Sequence, residues 1–165
     1  MSDLKITLMH ESPGDAEAVE QLNGRAFGPG RFARSAERVR EASPPDLSVS
    51  FVARVATLLV GSLRQSRIRI GTMPALMLGP LAVEPAFRSR GIGRQLIERG
   101  LEEAGALGYR LVLLVGDEPY YGRLGFRRVP PGRIIMPGPV DPARLLLHAT
   151  DEDARAQASG PVRPA

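Results

Sequence analysis

The sequence predicts one domain of the α/β kind, an α+β arrangement in which helices flank a central, mostly antiparallel sheet containing a βαβ unit. Three observations carry this. From Leu47 to Val83 apolar residues alternate with a period near two, the pattern of paired strands. Ile92, Leu96, Ile97, Leu101, Ala104 and Leu107 then fall on one face of a long helix whose other face carries Arg94, Glu98, Arg99, Glu102 and Glu103. Tyr109–Val115 follows as a strand containing the continuous apolar run Leu111–Val115, the composition of a strand buried on both faces in a parallel crossover.

The elements follow in order. Lys5–His10 can open a sheet. Pro13-Gly14-Asp15 starts a helix, with Ala16, Val19, Leu22 and Ala26 at spacings of three and four, and Gly28-Pro29-Gly30 ends it. A weaker helical pattern covers Ser35–Ala42, before the loop Ser43-Pro44-Pro45-Asp46. Val49, Phe51, Ala53 and Val55 alternate, Thr57–Leu63 continues after a turn, and Ser62–Ile70 alternates again, which together read as a meander. Ala75–Val83 is a further strand with a bulge or edge at Gly79-Pro80, because proline cannot donate to a ladder.

Gly108 stops the long helix. Pro119–Leu124 reads as a short helix ending at Gly125, and Phe126–Val129 is extended. Arg133–Met136 and Arg144–Ala149 add final strands. Asp151–Ala165 is polar and nearly free of large apolar residues. The expected division is therefore a domain over residues 1–150 and a frayed polar tail over 151–165.

Composition narrows the chemistry. The 165 residues hold no cysteine, which excludes disulfides, thiolate metal sites and a cysteine nucleophile. No apolar run nears the ~20 residues of a membrane span. The N-terminus lacks the basic and apolar regions of a secretory signal, so a cytoplasmic location is the expectation. The net charge of +4 rests almost wholly on arginine, since Lys5 is the only lysine. Basic clusters interleaved with aromatics would suggest nucleic acid, but Arg64, Arg67 and Arg69 stand in a stretch without aromatics. A solvated arginine surface, or a polyphosphate ligand, accounts for the charge better.

The chemistry concentrates between strand and long helix, in Leu81-Ala82-Val83-Glu84-Pro85-Ala86-Phe87-Arg88-Ser89-Arg90-Gly91-Ile92-Gly93-Arg94. Helix starts leave backbone N–H groups unpaired and carry partial positive charge. Glycines at 91 and 93 let a large anion approach, and Arg88, Arg90 and Arg94 add formal charge, which together make a phosphate cradle. Gly-x-Gly alone is equally a relaxed turn. It is not the dinucleotide fingerprint, since Leu96 takes the third glycine's place, and no Gly-Lys-Ser/Thr follows.

Arg88-x-x-Gly91-x-Gly93 after Leu81-Ala82-Val83 resembles the acetyl-CoA signature of the GNAT superfamily of N-acetyltransferases. Tyr121-Gly122-Arg123-Leu124-Gly125-Phe126 is similar to that family's Tyr-x-x-x-Gly-Phe segment. The likeness covers about 50 central residues and reaches a bacterial subgroup of N-acetyltransferases carrying Gly116-Asp117-Glu118-Pro119-Tyr120-Tyr121.

The resemblance implies a GNAT-like acyl-CoA N-acyltransferase fold with acetyl-CoA as cosubstrate, an amine acceptor, no metal, and no membrane or nucleic-acid partner. A homodimer is compatible with it. Backbone amides of Arg88, Ser89, Arg90, Gly91, Ile92, Gly93 and Arg94 would hold the pyrophosphate. Leu81, Ala82 and Val83 would pair with the pantetheine arm as an added strand, with Tyr120 and Tyr121 beside it. The Gly79-Pro80 region and Leu111–Val115 would splay apart for the thioester, and a backbone amide near Leu81–Val83 would polarise its carbonyl.

Tyr121 takes the family's general-acid position, protonating the departing thiolate; packing in the slot is its plainer role. Glu84, at the strand end, is the base candidate and equally a turn carboxylate, with Asp117 and Glu118 as rivals. The asparagine that the family often places after the second strand of the slot is absent from Gly116-Asp117-Glu118-Pro119. A non-catalytic CoA-binding sensor or interaction module is the alternative. Arginines in Ala26–Ser43, Arg64–Arg69 and Arg133–Val140 suggest a basic acceptor wall suited to anionic acceptors.

Overall fold

The computed structural model describes residues 5–27, 39 and 41–165. Among these, nine strands form the sheet. β1 (Ile6–His10), β2 (Phe51–Val55), β3 (Leu58–Ile70) and β4 (Met73–Val83) are antiparallel neighbours in that order. β4 then pairs in parallel with β5 (Leu111–Val115), across the crossover helix α2 (Ile92–Ala106). β8 (Leu145–Ala149) and β6 (Arg127–Arg128) continue the sheet antiparallel beyond β5. This is the mixed, mostly antiparallel sheet with a βαβ unit that the periodicities predict. The Ser35–Ala42 pattern falls largely outside the described residues.

Alternation along the strands sorts side chains to two faces. Phe51, Ala53, Val60, Leu63, Leu76 and Leu78 face α2 and meet its Ile92, Leu96 and Ile97. Val52, Leu59 and Ala82 meet Val19 and Leu22 of α1 (Ala16–Phe27) on the opposite face. Gly100 lets α2 lie close on β3, since a Cβ there would stand 2.7 Å from the Leu63 side chain. Buried Gln65 fixes the same contact, donating from Nε2 to the carbonyls of Val49 (2.9 Å) and Gly100 (3.1 Å).

Two irregularities shape the site. The β3–β4 register shifts between Leu63 and Gln65, which places Arg64 opposite Gly79-Pro80, the expected bulge. The β4–β5 ladder consists of Leu76↔Val112 and Met77↔Leu113 alone. Beyond it the two strands, each still paired on its other edge, are no longer hydrogen-bonded to one another, which opens a slot between them.

The C-terminal residues differ from expectation. Residues 151–165 are not a frayed tail: α4 (Glu152–Gln157) packs below the sheet, and β9 (Gly160–Pro164) pairs antiparallel with β3 and parallel with β7 (Ile134–Ile135). Ala154, Ala158 and Val162 are buried in one core with Ile68, Ile70 and Leu147. Ala154 and Ala158 bury little area each and Val162 is the one larger apolar residue of the segment, so the apolar count missed them; the backbone ladder and the Asp151 cap add to their burial. The Asp151 carboxylate accepts from Ala154 N at 2.7 Å, an N-cap visible in the sequence. No described helix is long and apolar enough to cross a membrane.

Candidate active site

Two clefts meet at Phe27 and Leu81. The first lies at the start of α2 and is lined by Leu81, Ala82, Val83, Arg88, Ser89, Gly91, Ile92, Gly93, Arg94 and Tyr120, joined by Ala26, Phe27 and Phe87. Ser89 (φ 65°) and Gly91 (φ 79°) both adopt the left-handed region. That is ordinary for glycine and costly for serine, the kind of backbone strain that collects where a loop is shaped for a ligand. Gly91 is the helix N-cap, and the first intrahelical bond runs from Gln95 N to Gly91 O at 3.0 Å. The N–H groups of Ile92, Gly93 and Arg94 therefore have no partner inside the helix and lie at the cleft.

Arg94 donates from Nε to Glu98 at 2.8 Å on the exposed helix face. Arg88 makes no ion pair among the described residues and lines the cleft. Arg90 does not line it; its guanidinium lies 5.8 Å from the Phe87 ring centroid. The Tyr120 hydroxyl approaches Gly93 so closely that a Cβ there would stand 3.0 Å from it. Burial raises the Tyr120 pKa, an effect the Arg94 guanidinium partly opposes, so the phenol stays a hydrogen-bond donor at neutral pH.

The second cleft has a volume of about 390 Å³ and occupies the slot between the splayed strands. Leu78, Gly79, Pro80 and Leu81 form one side and Leu114 and Val115 the other. Tyr121 also lines it. Tyr120 and Tyr121 thus reach different clefts from one short helix, α3 (Glu118–Tyr121), their rings perpendicular at 4.9 Å between centroids. The carbonyl of Asp117 accepts from both their backbone N–H groups, at 3.1 and 3.0 Å, and Phe126 meets the Tyr121 ring edge-on at 5.9 Å. Asn23 of α1, 1% exposed, lines the same slot, and its Oδ1 has no hydrogen-bond partner.

Glu84 lines neither cleft. Its Oε2 accepts from Arg25 Nε and Nη2 at 3.1 and 2.8 Å, which ties the end of β4 to the last turn of α1. Asp117 lies at the slot with its carboxylate 3.5 Å from Arg144, and Glu118 pairs with Arg128 at 3.1 Å.

The expected basic acceptor wall is not what these residues build. Arg64 reaches the slot, but donates to Glu11 at 3.0 and 2.8 Å and to Glu20 at 2.8 Å. Arg67, Arg69 and Arg133 do not line it. A bulge that turns Arg64 toward two acids distant in sequence leaves no local signal. Most of Ala26–Ser43 lies outside the described residues. Phe27 and Asn23, which sequence reasoning did not single out, sit at the helical spacing of ordinary core positions and had no distinguishing mark. Among the described residues no group of three or more His, Asp or Glu is placed to hold a metal.

A parallel pair splayed beside a glycine-opened helix start, with a tyrosine at the crotch, defines an acyltransferase architecture. The comparisons make the family specific. Residues 46–128 match the model of the acetyltransferase (GNAT) domain. The chain is 33% identical over 121 residues to the uncharacterized N-acetyltransferase YjhQ of Escherichia coli K12, a match spanning 68% of this chain and 64% of that protein. It is 27% identical over 155 residues to the uncharacterized N-acetyltransferase YhbS of the same strain, 92% of each chain. The crystal structure of E. coli YhbS in complex with CoA superposes with a TM-score of 0.77 at 24% identity, covering 100% of this chain and 92% of that one. A GNAT family acetyltransferase from Brucella melitensis in complex with acetyl-CoA gives 0.62 at 28% identity, covering 90% and 98%. The chain belongs to the GNAT acetyltransferase family and is an acyltransferase.

Proposed function

We propose that this protein transfers an acetyl group from acetyl-CoA to an amine of a small molecule or protein, by direct attack while both are bound. The observation that supports this best is the joining of the two clefts at Phe27 and Leu81: one carries anion-binding backbone, the other is a narrow slot containing a phenol. Relatives crystallised with CoA and acetyl-CoA support the same cosubstrate here.

The residues fit the group. Backbone N–H groups of Ile92, Gly93 and Arg94, with the Arg88 guanidinium, would hold the diphosphate, and Gly91 and Gly93 leave the approach clear. Leu81, Ala82 and Val83 line the first cleft, Leu81 reaching on into the slot, and form the edge along which the pantetheine amides would pair. Acetyl-CoA supplies an activated acyl group whose leaving group is a thiolate. Tyr121 is the residue that would give that thiolate a proton, since it alone of the two tyrosines lines the slot. The amine must arrive as its free base. Glu84 is engaged by Arg25 outside the slot, so we assign it the role of fixing the end of β4 against α1 and leave deprotonation to water reaching the slot mouth beside Asp117.

Calorimetric titration of acetyl-CoA into the wild type and into Gly91→Glu tests the reading. Binding in the micromolar range that the substitution abolishes is expected, because a carboxylate at the helix N-cap repels phosphate. Absence of binding to the wild type at low salt would overturn it. An amine panel assayed for thiol release then identifies acceptors.

A further inference from the structure

A separate cavity of about 230 Å³ lies among β6, β7 and α4 and shares no lining residue with either cleft. Arg127, Arg128, Arg133 and Arg155 all line it. Arg127 pairs with Glu152 at 2.5 Å and Arg128 with Glu118 at 3.1 Å. Arg133 and Arg155 have no carboxylate within ion-pair distance among the described residues. Each donates instead to a main-chain carbonyl, Arg133 to Ala156 and Arg155 to Leu147 at 2.9 Å. A carbonyl accepts a hydrogen bond without neutralising the charge, so neither guanidinium has a carboxylate in contact among the described residues; Arg155 feels Glu152, itself paired with Arg127, only at longer range.

Arg155 shows the consequence. Its Nε–H is buried without an acceptor, a donor whose hydrogen bond has been given up on folding. Its pKa is lowered, first by burial and then by the nearby Arg127 guanidinium, with Glu152 opposing in part, so the charged form is held at a cost. An anion in the cavity would relieve both the like-charge repulsion and the desolvation. The guanidinium fork suits phosphate and carboxylate oxygens in particular, because it offers parallel N–H donors in one plane.

We propose that this cavity is a second ligand site, taking a small oxyanion, phosphate or carboxylate, between Arg133 and Arg155. The site is independent of the acyl-transfer cleft and of the function assigned to it. Arg127 and Arg128 contribute field while keeping their glutamate partners, and Val129, Ile134 and Leu147 give the cavity an apolar side.

Titration of the full-length protein with inorganic phosphate, and in a second arm with succinate, at ionic strength held constant with chloride, tests this by amide NMR. Saturable shifts at Arg128, Arg133, Ile134 and Ala158 are expected in at least one arm, and that arm names the oxyanion. Arg133→Gln and Arg155→Gln should each weaken the response by about tenfold, the loss of one charged hydrogen-bonding partner. Arg94→Gln should leave it unchanged. If Arg155→Gln fails to fold, Arg133→Gln decides, since among the described residues the Arg133 side chain makes a single hydrogen bond, to a carbonyl on α4. Shifts confined to Ser89–Arg94 in both arms, or an unaltered affinity in Arg133→Gln, would overturn the proposal.

Discussion

The Tyr121 ring lies against the α-carbon of Gly116: a Cβ built there would stand 2.9 Å from Cδ2 and closer still to Cε2. An aromatic ring held edge-on by Phe126 and Tyr120 cannot yield by that amount without leaving its place in the slot. Gly116 therefore sets where the phenol of Tyr121 points, although nothing in its own backbone conformation requires glycine.

Two substitutions separate placing this phenol from its chemistry. Tyr121→Phe should lower kcat by about 10²–10⁴-fold, the usual contribution of a general acid, with acetyl-CoA affinity retained. Gly116→Ala keeps the hydroxyl and moves it, and should lower kcat by about 10²-fold. Steady-state kinetics alongside calorimetry checks both. A Tyr121→Phe enzyme with wild-type kcat would remove the acid role.

The Arg64–Glu11 pair is buried, with side-chain exposures of 11% and 2%. Arg64→Met leaves the Glu11 carboxylate buried beside only Glu20's like charge across the former guanidinium, and should cost about 3–5 kcal/mol. The double variant with Glu11→Met should recover much of that loss, because no unpaired charge remains. Urea unfolding of Arg64→Met, Glu11→Met and the double variant measures the coupling; strictly additive losses would show the two groups to be independent.

His148 predicts a pH dependence. Burial lowers its pKa from 6.5, and Arg155 lowers it further. The folded protein then binds this proton less readily than the unfolded chain, so stability is complete above pH 6.5 and falls as pH drops below it toward the folded pKa. The melting temperature should decline across that range, and His148→Gln should flatten the decline. A profile identical in both proteins would assign the effect to other groups.

Truncation after Gln157 should destabilise the whole domain. Val162 is 7% exposed, and burying such a side chain contributes about 1.5–3 kcal/mol. The melting temperature should therefore fall by roughly 3–12 °C for a domain of this size, with the backbone pairing of β9 to β3 and β7 adding to the loss. A truncated protein melting with the full chain would mean that β9 is dispensable.

Much of the fold was legible because its signals are local. The period-two stretch before Val83, the apolar face of α2 and the solid run of β5 each follow from what a strand or helix must bury. The glycine-opened start of α2, which we propose as the phosphate cradle, was legible for the same reason: Arg88-x-x-Gly91-x-Gly93 is contiguous, and a helix start needs no distant partner to present its N–H groups. Residues 151–165 were misjudged because Ala154 and Ala158 bury little area each, Val162 stands alone as a large apolar residue, and β9 exists through hydrogen bonds to β3 and β7, strands about 90 and 25 residues earlier. The role of each charge was equally beyond local pattern. Arg64 and Glu11, or Arg25 and Glu84, meet only when a bulge and a helix end bring them together, and Coulomb interaction depends on that final distance. The sequence by itself determined the elements up to Ala149, the glycine-opened helix start and the family. The tertiary structure alone decided that Tyr121 enters the slot while Glu84 stays outside it, because strand splay and the space over Gly116 are properties of packing between segments, not of any one of them.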